Sequence, residues 1–174
     1  CDQSIHGKAL EGGATATKLI VDAAGERFIN EALPPIALAT TMADRDAAPY
    51  FALFDSSDSE VVAVLEKGVG TDGLFKADTI KALAETAQLP VLPETFAAYQ
   101  AAAESGADEA FGKAAEKLTA YASGPYYLVS YVPSYVATMG GVKTNADCQA
   151  VRADESAITG LYVVGECTHR FMYN

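Results

Sequence analysis

The sequence predicts an α+β fold, a small sheet carrying short helices, and three observations lead there. Apolar runs rich in β-branched or aromatic residues at 18–21, 50–54 and 126–132 have the length of strands and are bounded by turn residues. Between the last two, Ile80, Leu83, Ala84 and Ala87 recur at spacings of three and four, the period of an amphipathic helix, and a second proline-started helix follows. No internal repeat or low-complexity linker interrupts the chain, although alanine is abundant in residues 97–122.

The elements follow in order. Residues 7–13 read as the end of a short helix closed by glycines. Residues 18–21 and 26–29 read as a β-hairpin turning at Ala24-Gly25. Pro34-Pro35 is a break, and a helix is expected over 36–43 with Pro35 in its first turn, where a missing N–H costs little. Residues 50–54 form a strong strand and 55–59 a polar loop. Residues 61–65 are apolar but short, so helix and strand both remain open. Gly68 to Gly73 reads as a glycine-rich loop without the G-x-G-x-x-G pattern of a dinucleotide fold, its G-x-G too short to mean phosphate binding. Asp78 is expected to cap a helix through Ile80, Leu83, Ala84 and Ala87 that Pro90 ends. Pro93-Glu94 starts the next helix, which carries Phe96 and Tyr99 and ends near Ser105-Gly106. Residues 111–121 read equally as a third helix or as a loop, because their apolar periodicity is poor. After the turn at Gly124-Pro125, strand 126–132 runs to the bend at Pro133.

The last forty residues hold two patterns with chemical content. Thr138-Met139-Gly140-Gly141 has adjacent glycines, which let the backbone approach something closely or take φ > 0. Leu161 to Val164 reads as a short buried strand ended by Gly165-Glu166. A carboxylate just past such a strand suits a ligand crevice; the plainer reading is a surface hairpin and a strand end.

Composition excludes several classes of function. A length of 174 residues suits one domain, or one and a part, and half the residues are hydrophobic. A net charge of −11 argues against nucleic acid and against an anionic membrane surface. No apolar stretch approaches the ~20 residues that a spanning helix requires. The start, Cys-Asp-Gln-Ser-Ile-His, lacks both Met and the apolar core of a signal peptide, and reads as a cut from something longer. Cys1, Cys148 and Cys167 have no C-x-x-C spacing, so no zinc or disulfide framework is expected, and Cys167 reads as a small buried residue.

The stretch TMGGVKTNADCQAVRADESAITGLYVVGE resembles the carboxyl-terminal flavin-binding segment of the fumarate reductase/succinate dehydrogenase flavoprotein family, most closely its soluble flavocytochrome-type branch. Upstream, LIVDAAGERFINE, PYFALFD and GPYYLVSYVPSYVATMGG are similar to further segments of that family in family order. The resemblance implies an α+β cap (clamp) domain flanked by pieces of an FAD-binding α/β domain. The implied boundaries are 1–17 for the end of a preceding FAD-binding segment, 18–137 for the substrate-capping domain and 138–174 for the start of the C-terminal FAD-binding segment. The amino-terminal dinucleotide-binding unit of the family has no counterpart in the chain. The chain is therefore expected to be an inactive fragment of an FAD-dependent oxidoreductase, acting on a small molecule together with the remainder of the FAD-binding domain. The competing reading is a stand-alone α+β binding or interaction domain without catalysis.

By the same resemblance, Thr138, Gly140, Gly141 and Glu166 match the FAD-binding positions. No catalytic residue is assigned. Tyr135 stands near a family histidine position, as a hydroxyl proton donor or as a packed core tyrosine. His169 and Arg170 replace a usual pair of glycines and would face the flavin or a substrate, unless they are simply chain-end residues. His6 and Glu11 read as surface residues. Where fumarate-reducing members place a proton-donating arginine, four residues after the Asn-Glu pair, this chain has Pro35. Where they place two histidines before TMGG, it has Val136 and Ala137. A dicarboxylate needs a cation cradle and a proton donor, so the expected substrate is not fumarate but something less anionic.

Overall fold

Four antiparallel strands frame the larger part of the molecule: β1 (Leu19–Val21), β2 (Tyr50–Phe54), β3 (Leu74–Ala77) and β4 (Tyr126–Tyr131). The structure is a computed structural model and describes residues 16–45, 47–132 and 140–168. The chain divides into two compact units, Cys1–Pro133 and Ser134–Asn174. In the first unit the strands lie in the order β1-β2-β4-β3. The expected α+β class is what the structure has.

Strand β2 explains itself from its sequence. Its five residues Tyr-Phe-Ala-Leu-Phe are all buried, as befits a strand covered on both faces. Alternate side chains go to opposite sides. Tyr50, Ala52 and Phe54 pack with Leu38 and Met42 of α1 (Pro35–Asp44) and Leu65 of α2 (Ser59–Gly68). Phe51 and Leu53 pack with Leu83 of α3 (Ile80–Ala87) and with Leu92 and Tyr99 of α4 (Leu92–Ser105). Register is set by the neighbours: Leu19 lies opposite Leu53 on one side of β2, and Leu128 opposite Leu53 on the other.

Local chemistry sets the helix ends, and corrects several expectations. Residues 61–65 are helical, within α2, because Asp58 of the preceding polar loop accepts the N–H groups of Glu60 and Val61. The cap of α3 is Thr79, not Asp78: its hydroxyl accepts the N–H of Ala82 at 3.2 Å. Helix α4 has proline at its start and ends on Gly106 at φ 71°, a left-handed cap that suits glycine. Between α2 and β3, Gly68-Val69-Gly70-Thr71-Asp72-Gly73 does have the spacing G-x-G-x-x-G, but it runs from a helix into a strand. A dinucleotide turn runs from a strand into a helix, so this loop is not one. Gly73 is needed for another reason. It sits at φ 83°, and a Cβ there would stand 2.8 Å from that of Ser130. Strand β3, which follows it, had no clear signal in its sequence.

The expected hairpin at 18–29 reduces to β1 and a single bridge between Val21 and Arg27. The Asp22 carboxylate closes the turn by accepting the N–H groups of Ala24 and Glu26. The chain then leaves the sheet, because side chains satisfy β1: Tyr121 Oη accepts from Leu19 N, and Glu31 Oε1 from Ile20 N. Residues 111–121 hold only a 3₁₀ turn at Ala115–Lys117.

The second unit contains the two-stranded ribbon β5 (Gln149–Val151) and β6 (Ala157–Tyr162). The expected buried strand at 161–164 is corrected here: β6 ends at Tyr162, and Tyr162 and Val164 are 61% and 69% exposed. A two-stranded ribbon is a single layer, and such a layer does not bury its own faces. Cys167 is likewise exposed rather than buried. The expected helix at 7–13, His6 and Glu11 lie outside the described residues.

Candidate functional site

In the second unit the backbone brings the Gly-Gly segment against the Gly-Glu-Cys-Thr segment. Val142 and Thr168 form a parallel bridge, and Val142 N–H donates to Cys167 O at 2.9 Å. Gly141 permits the approach: a Cβ there would lie 2.5 Å from Cys167 O and 2.7 Å from Thr168 C. Backbone atoms that close cannot yield cheaply, so the position requires glycine. At Gly140, no atom lies within 4 Å of where a Cβ would stand. Gly165 opens the facing 3₁₀ turn at φ 72°, and the Thr168 hydroxyl donates to Gly165 O at 2.7 Å.

The ribbon anchors this pair. Asn145 Oδ1 accepts the N–H groups of Asp147 and Gln149, and Val163 N–H donates to Cys148 O at 2.9 Å. Of the sequence-derived candidates, Gly140 and Gly141 thus stand beside the turn that contains Glu166. Thr138, Tyr135, His169 and Arg170, and the side chain of Glu166, lie outside what the structure describes.

The first unit holds a buried charged cluster that sequence reasoning missed. Glu31 accepts from Arg27 Nε at 2.9 Å, from a second Arg27 nitrogen at 3.0 Å and from Lys113 Nζ at 3.0 Å. Arg27 also donates to Asp108 at 2.8 Å. Lys113 donates further to Tyr99 Oη and to Lys18 O. The side chains of Glu31 and Lys113 have no exposure at all. Two cations face two carboxylates, so the charges balance, which is what burial of ions requires.

Burial pushes the Tyr99 hydroxyl up to about 12, with the Glu31 charge adding to the effect. Burial also lowers the Lys113 ammonium, against the opposing pull of Glu31. For Asp108, burial acts upward, but the Arg27 hydrogen bond and backbone N–H donors hold it below its usual range. The signal in the sequence is Arg27-x-x-x-Glu31, an i,i+4 charge pair inside an apolar stretch. Its partners Asp108 and Lys113 are distant in sequence and carry no local mark. Beside the cluster, a groove of about 730 Å³ is lined by Arg27, Tyr99, Ala102, Asp108 and Phe111 among others.

The cluster fixes the loop that leads into α1. Glu31 is held from below, Asn30 Oδ1 accepts Ala32 N at 2.9 Å, and Asn30 Nδ2 donates to Phe111 O. Pro34 and Pro35 follow, and neither offers a backbone N–H.

This combination, an α+β unit with strands covered on both faces and a close Gly-Gly to Gly-Glu backbone pairing, suits a flavoprotein segment. The model of the FAD binding domain family matches residues 4–173, and the chain belongs to that family. It is 28% identical over 199 residues to 3-oxosteroid 1-dehydrogenase of Mycolicibacterium smegmatis, covering 94% of this chain and 35% of that one. It is 29% identical over 176 residues to NADH:acrylate oxidoreductase of Vibrio harveyi, covering 91% and 17%. Among solved structures it is similar to the open conformation of a flavocytochrome c3 fumarate reductase, with a TM-score of 0.72 and 28% identity over 88% of this chain and 28% of that one. The chain therefore spans about a third or less of the length of these three relatives. The expected likeness to the fumarate reductase flavoproteins holds, and FAD is the cofactor of the family. No described helix is long and apolar enough to cross a membrane.

Among the described residues, Gly141 leaves no room for a side chain because the backbone of Cys167 and Thr168 lies against it.

Proposed function

We propose that this chain supplies the substrate-capping domain and one arm of the flavin site of an FAD-dependent oxidoreductase. In that reading residues 18–137 form the cap and 138–174 belong to the flavin domain, with 1–17 ending a preceding flavin segment. The observation that carries the reading is the Gly141–Cys167 approach, which only glycine permits. Gly140, Gly141, Thr138 and Glu166 are the residues that hold the cofactor. A carboxylate accepting from a sugar hydroxyl makes a charge-assisted hydrogen bond.

Bound FAD accepts or donates hydride. The cap closes over the site, excludes water and shapes the substrate pocket. Tyr135, His169 and Arg170 are the candidates for polar contact with the substrate. The relatives named above act, by their names, on an oxosteroid, on acrylate and on fumarate. Each name describes a carbon–carbon bond next to an electron-withdrawing group, and that is the reaction class proposed. Pro35, Val136 and Ala137 support a substrate other than fumarate, because none of them offers a charge or a proton.

The test uses the full-length protein that carries this chain, purified, reduced anaerobically and mixed with electron-poor alkenes. Reoxidation of the flavin by such an alkene is expected. A protein whose reduced flavin no electron-poor alkene reoxidises contradicts the reading.

A further inference from the structure

Residues 107–114 join α4 to the 3₁₀ turn at Ala115–Lys117 and contribute no side chain to the apolar core on either face of the sheet. Their only buried members are charged: Asp108 and Lys113, at 8% and 3% exposure. Phe111, their one large apolar side chain, is half-buried, and its ring lies 4.6 Å from the Arg27 guanidinium. Polar bonds hold the segment down. Asp108 accepts from Arg27 at 2.8 Å, Lys113 donates to Glu31 at 3.0 Å and to Tyr99 Oη at 3.1 Å, and Phe111 O accepts from Asn30 Nδ2 at 3.3 Å. The chain rejoins the core only at Leu118.

The ion cluster has a seam along this segment. Arg27 and Glu31 share two hydrogen bonds, at 2.9 and 3.0 Å, and both belong to the stretch after β1. Asp108 and Lys113 both belong to the segment, where Asp108 also accepts Lys113 N at 3.2 Å. Lifting the segment takes one anion and one cation away and leaves one anion and one cation behind, still bonded to each other. Breaking a buried pair is most costly when it strands a lone charge, and here neither side is stranded. The departing ions regain water, which offsets much of the attraction they lose. Few buried apolar contacts mean a low local opening free energy, and the segment has no buried apolar residue. At Gly106 and Gly112, with φ of 71° and 65°, no described atom lies within 4 Å of where a Cβ would stand, so the backbone turns there without obstruction.

The segment stands between the groove and the turn into α1. Ala107, Asp108 and Phe111 form one wall of the groove of about 730 Å³, and Thr95, Ala98 and Ala102 of α4 form the other. On its inner side the segment holds Asn30, which in turn accepts Ala32 N. We propose that residues 107–114 are a latched strap that opens as a unit, widening the groove and releasing residues 30–32, while the sheet and α4 stay folded. The strap lies wholly within the first unit, and its opening needs no flavin.

Trypsin reads the strap in the full-length protein that carries this chain, because the Lys113 side chain has no exposure while the strap is down. Arg27, at 7% side-chain exposure, is the internal reference, since it stays with Glu31 when the strap lifts. With native protein and fragments identified by mass, cleavage after Lys113 is expected to be at least about tenfold faster than after Arg27, following the population of the open form. Asp108→Asn keeps the side-chain shape and removes the ion pair with Arg27; it is expected to quicken cleavage after Lys113 by about tenfold and to leave cleavage after Arg27 within about twofold. In the same variant the Ala32 amide should lose hydrogen-exchange protection while the Ala52 and Val129 amides of the sheet keep theirs. Asn30→Asp, which keeps an acceptor for Ala32 N but loses the donor to Phe111 O, should shift cleavage in the same direction and serves where Asp108→Asn does not fold. Equal cleavage after Lys113 and Arg27 that rises together in the variants, sheet amides that lose protection with Ala32, or Ala32 protection unchanged in both variants overturns the inference.

Discussion

The two units satisfy their polar groups in opposite ways. The first buries a cluster of charged side chains that bond to one another: Arg27, Glu31, Asp108 and Lys113. Among its described residues, no buried side-chain nitrogen or oxygen is left without a partner. Among its described residues the second unit buries only Ala150 and Thr168, and its hydrogen bonds shape backbone, through Asn145, Gly165 and Thr168. Leu161, Tyr162 and Val164 remain at its surface. The difference teaches where each kind of residue matters. In the first unit a side chain is needed for what it neutralises; in the second, a glycine is needed for the side chain it lacks.

The sharpest way to break the comparison is to remove the centre of the charged cluster. Glu31→Ala leaves Arg27 and Lys113 buried, at 7% and 0% side-chain exposure, with two cations and one carboxylate. A loss of about 3–5 kcal/mol is expected, the range for an orphaned buried charge. Urea unfolding of the purified protein measures it. A loss no greater than that of an exposed glutamate variant would show that the cluster is not closed.

The next effect belongs to the second unit. Gly141→Ala places a Cβ against Cys167 O and should cost about 1–3 kcal/mol locally, the range for overpacking. Gly140→Ala meets no described atom within 4 Å and should leave apo stability nearly unchanged. Hydrogen exchange at the Val142 amide reads the difference directly, since that N–H makes the bond to Cys167 O. Equal protection in the two variants would contradict the close approach.

These contrasts follow how much of each unit was legible. Strand 50–54 was legible because five consecutive apolar residues satisfy a strand buried on both faces. Helix α4 was legible because proline starts it and glycine stops it. The cap of α3 fell one residue away from the expected Asp78, since Thr79 and Asp78 are both competent caps and only geometry chooses. The 18–29 hairpin was misread because β1 pairs with β2, and the N–H groups of Leu19 and Ile20 go to the side chains of Tyr121 and Glu31. Strand 161–164 was misread because an apolar run does not state whether anything covers it, and Tyr162 and Val164 are exposed. The pairing of Gly140-Gly141 with Gly165–Thr168 is a parallel contact between remote segments. No spacing rule announces it; only the family likeness pointed to those positions.

A smaller effect separates the units by pH. Tyr99 has its hydroxyl pushed from 10.0 to about 12 in the folded state, first by burial. Above pH 10.0 the unfolded chain gives up that proton while the folded chain keeps it, so stability should fall as pH rises from 10.0 towards about 12. Lys113, lowered by burial from 10.5, acts with the opposite sign below that value. The informative quantity is therefore the difference between wild type and Tyr99→Phe, which loses about 1 kcal/mol at neutral pH and a shallower amount per pH unit above 10.0. Parallel slopes for the two proteins in alkaline unfolding titrations would remove Tyr99 from the cluster.

The central claim, that the second unit is part of a flavin site, is tested most directly at Glu166. If Glu166 accepts from a hydroxyl of the cofactor, that bond contributes roughly 1.5–3 kcal/mol, and its loss weakens binding by about ten- to a hundredfold. As a surface carboxylate it would shift stability by no more than ~0.5 kcal/mol. The measurement is the flavin content, by absorbance, of the purified full-length protein and its Glu166→Ala variant, with thermal melts of both apo forms. The account predicts depleted flavin and superimposable melts; equal flavin content in the two proteins would contradict it.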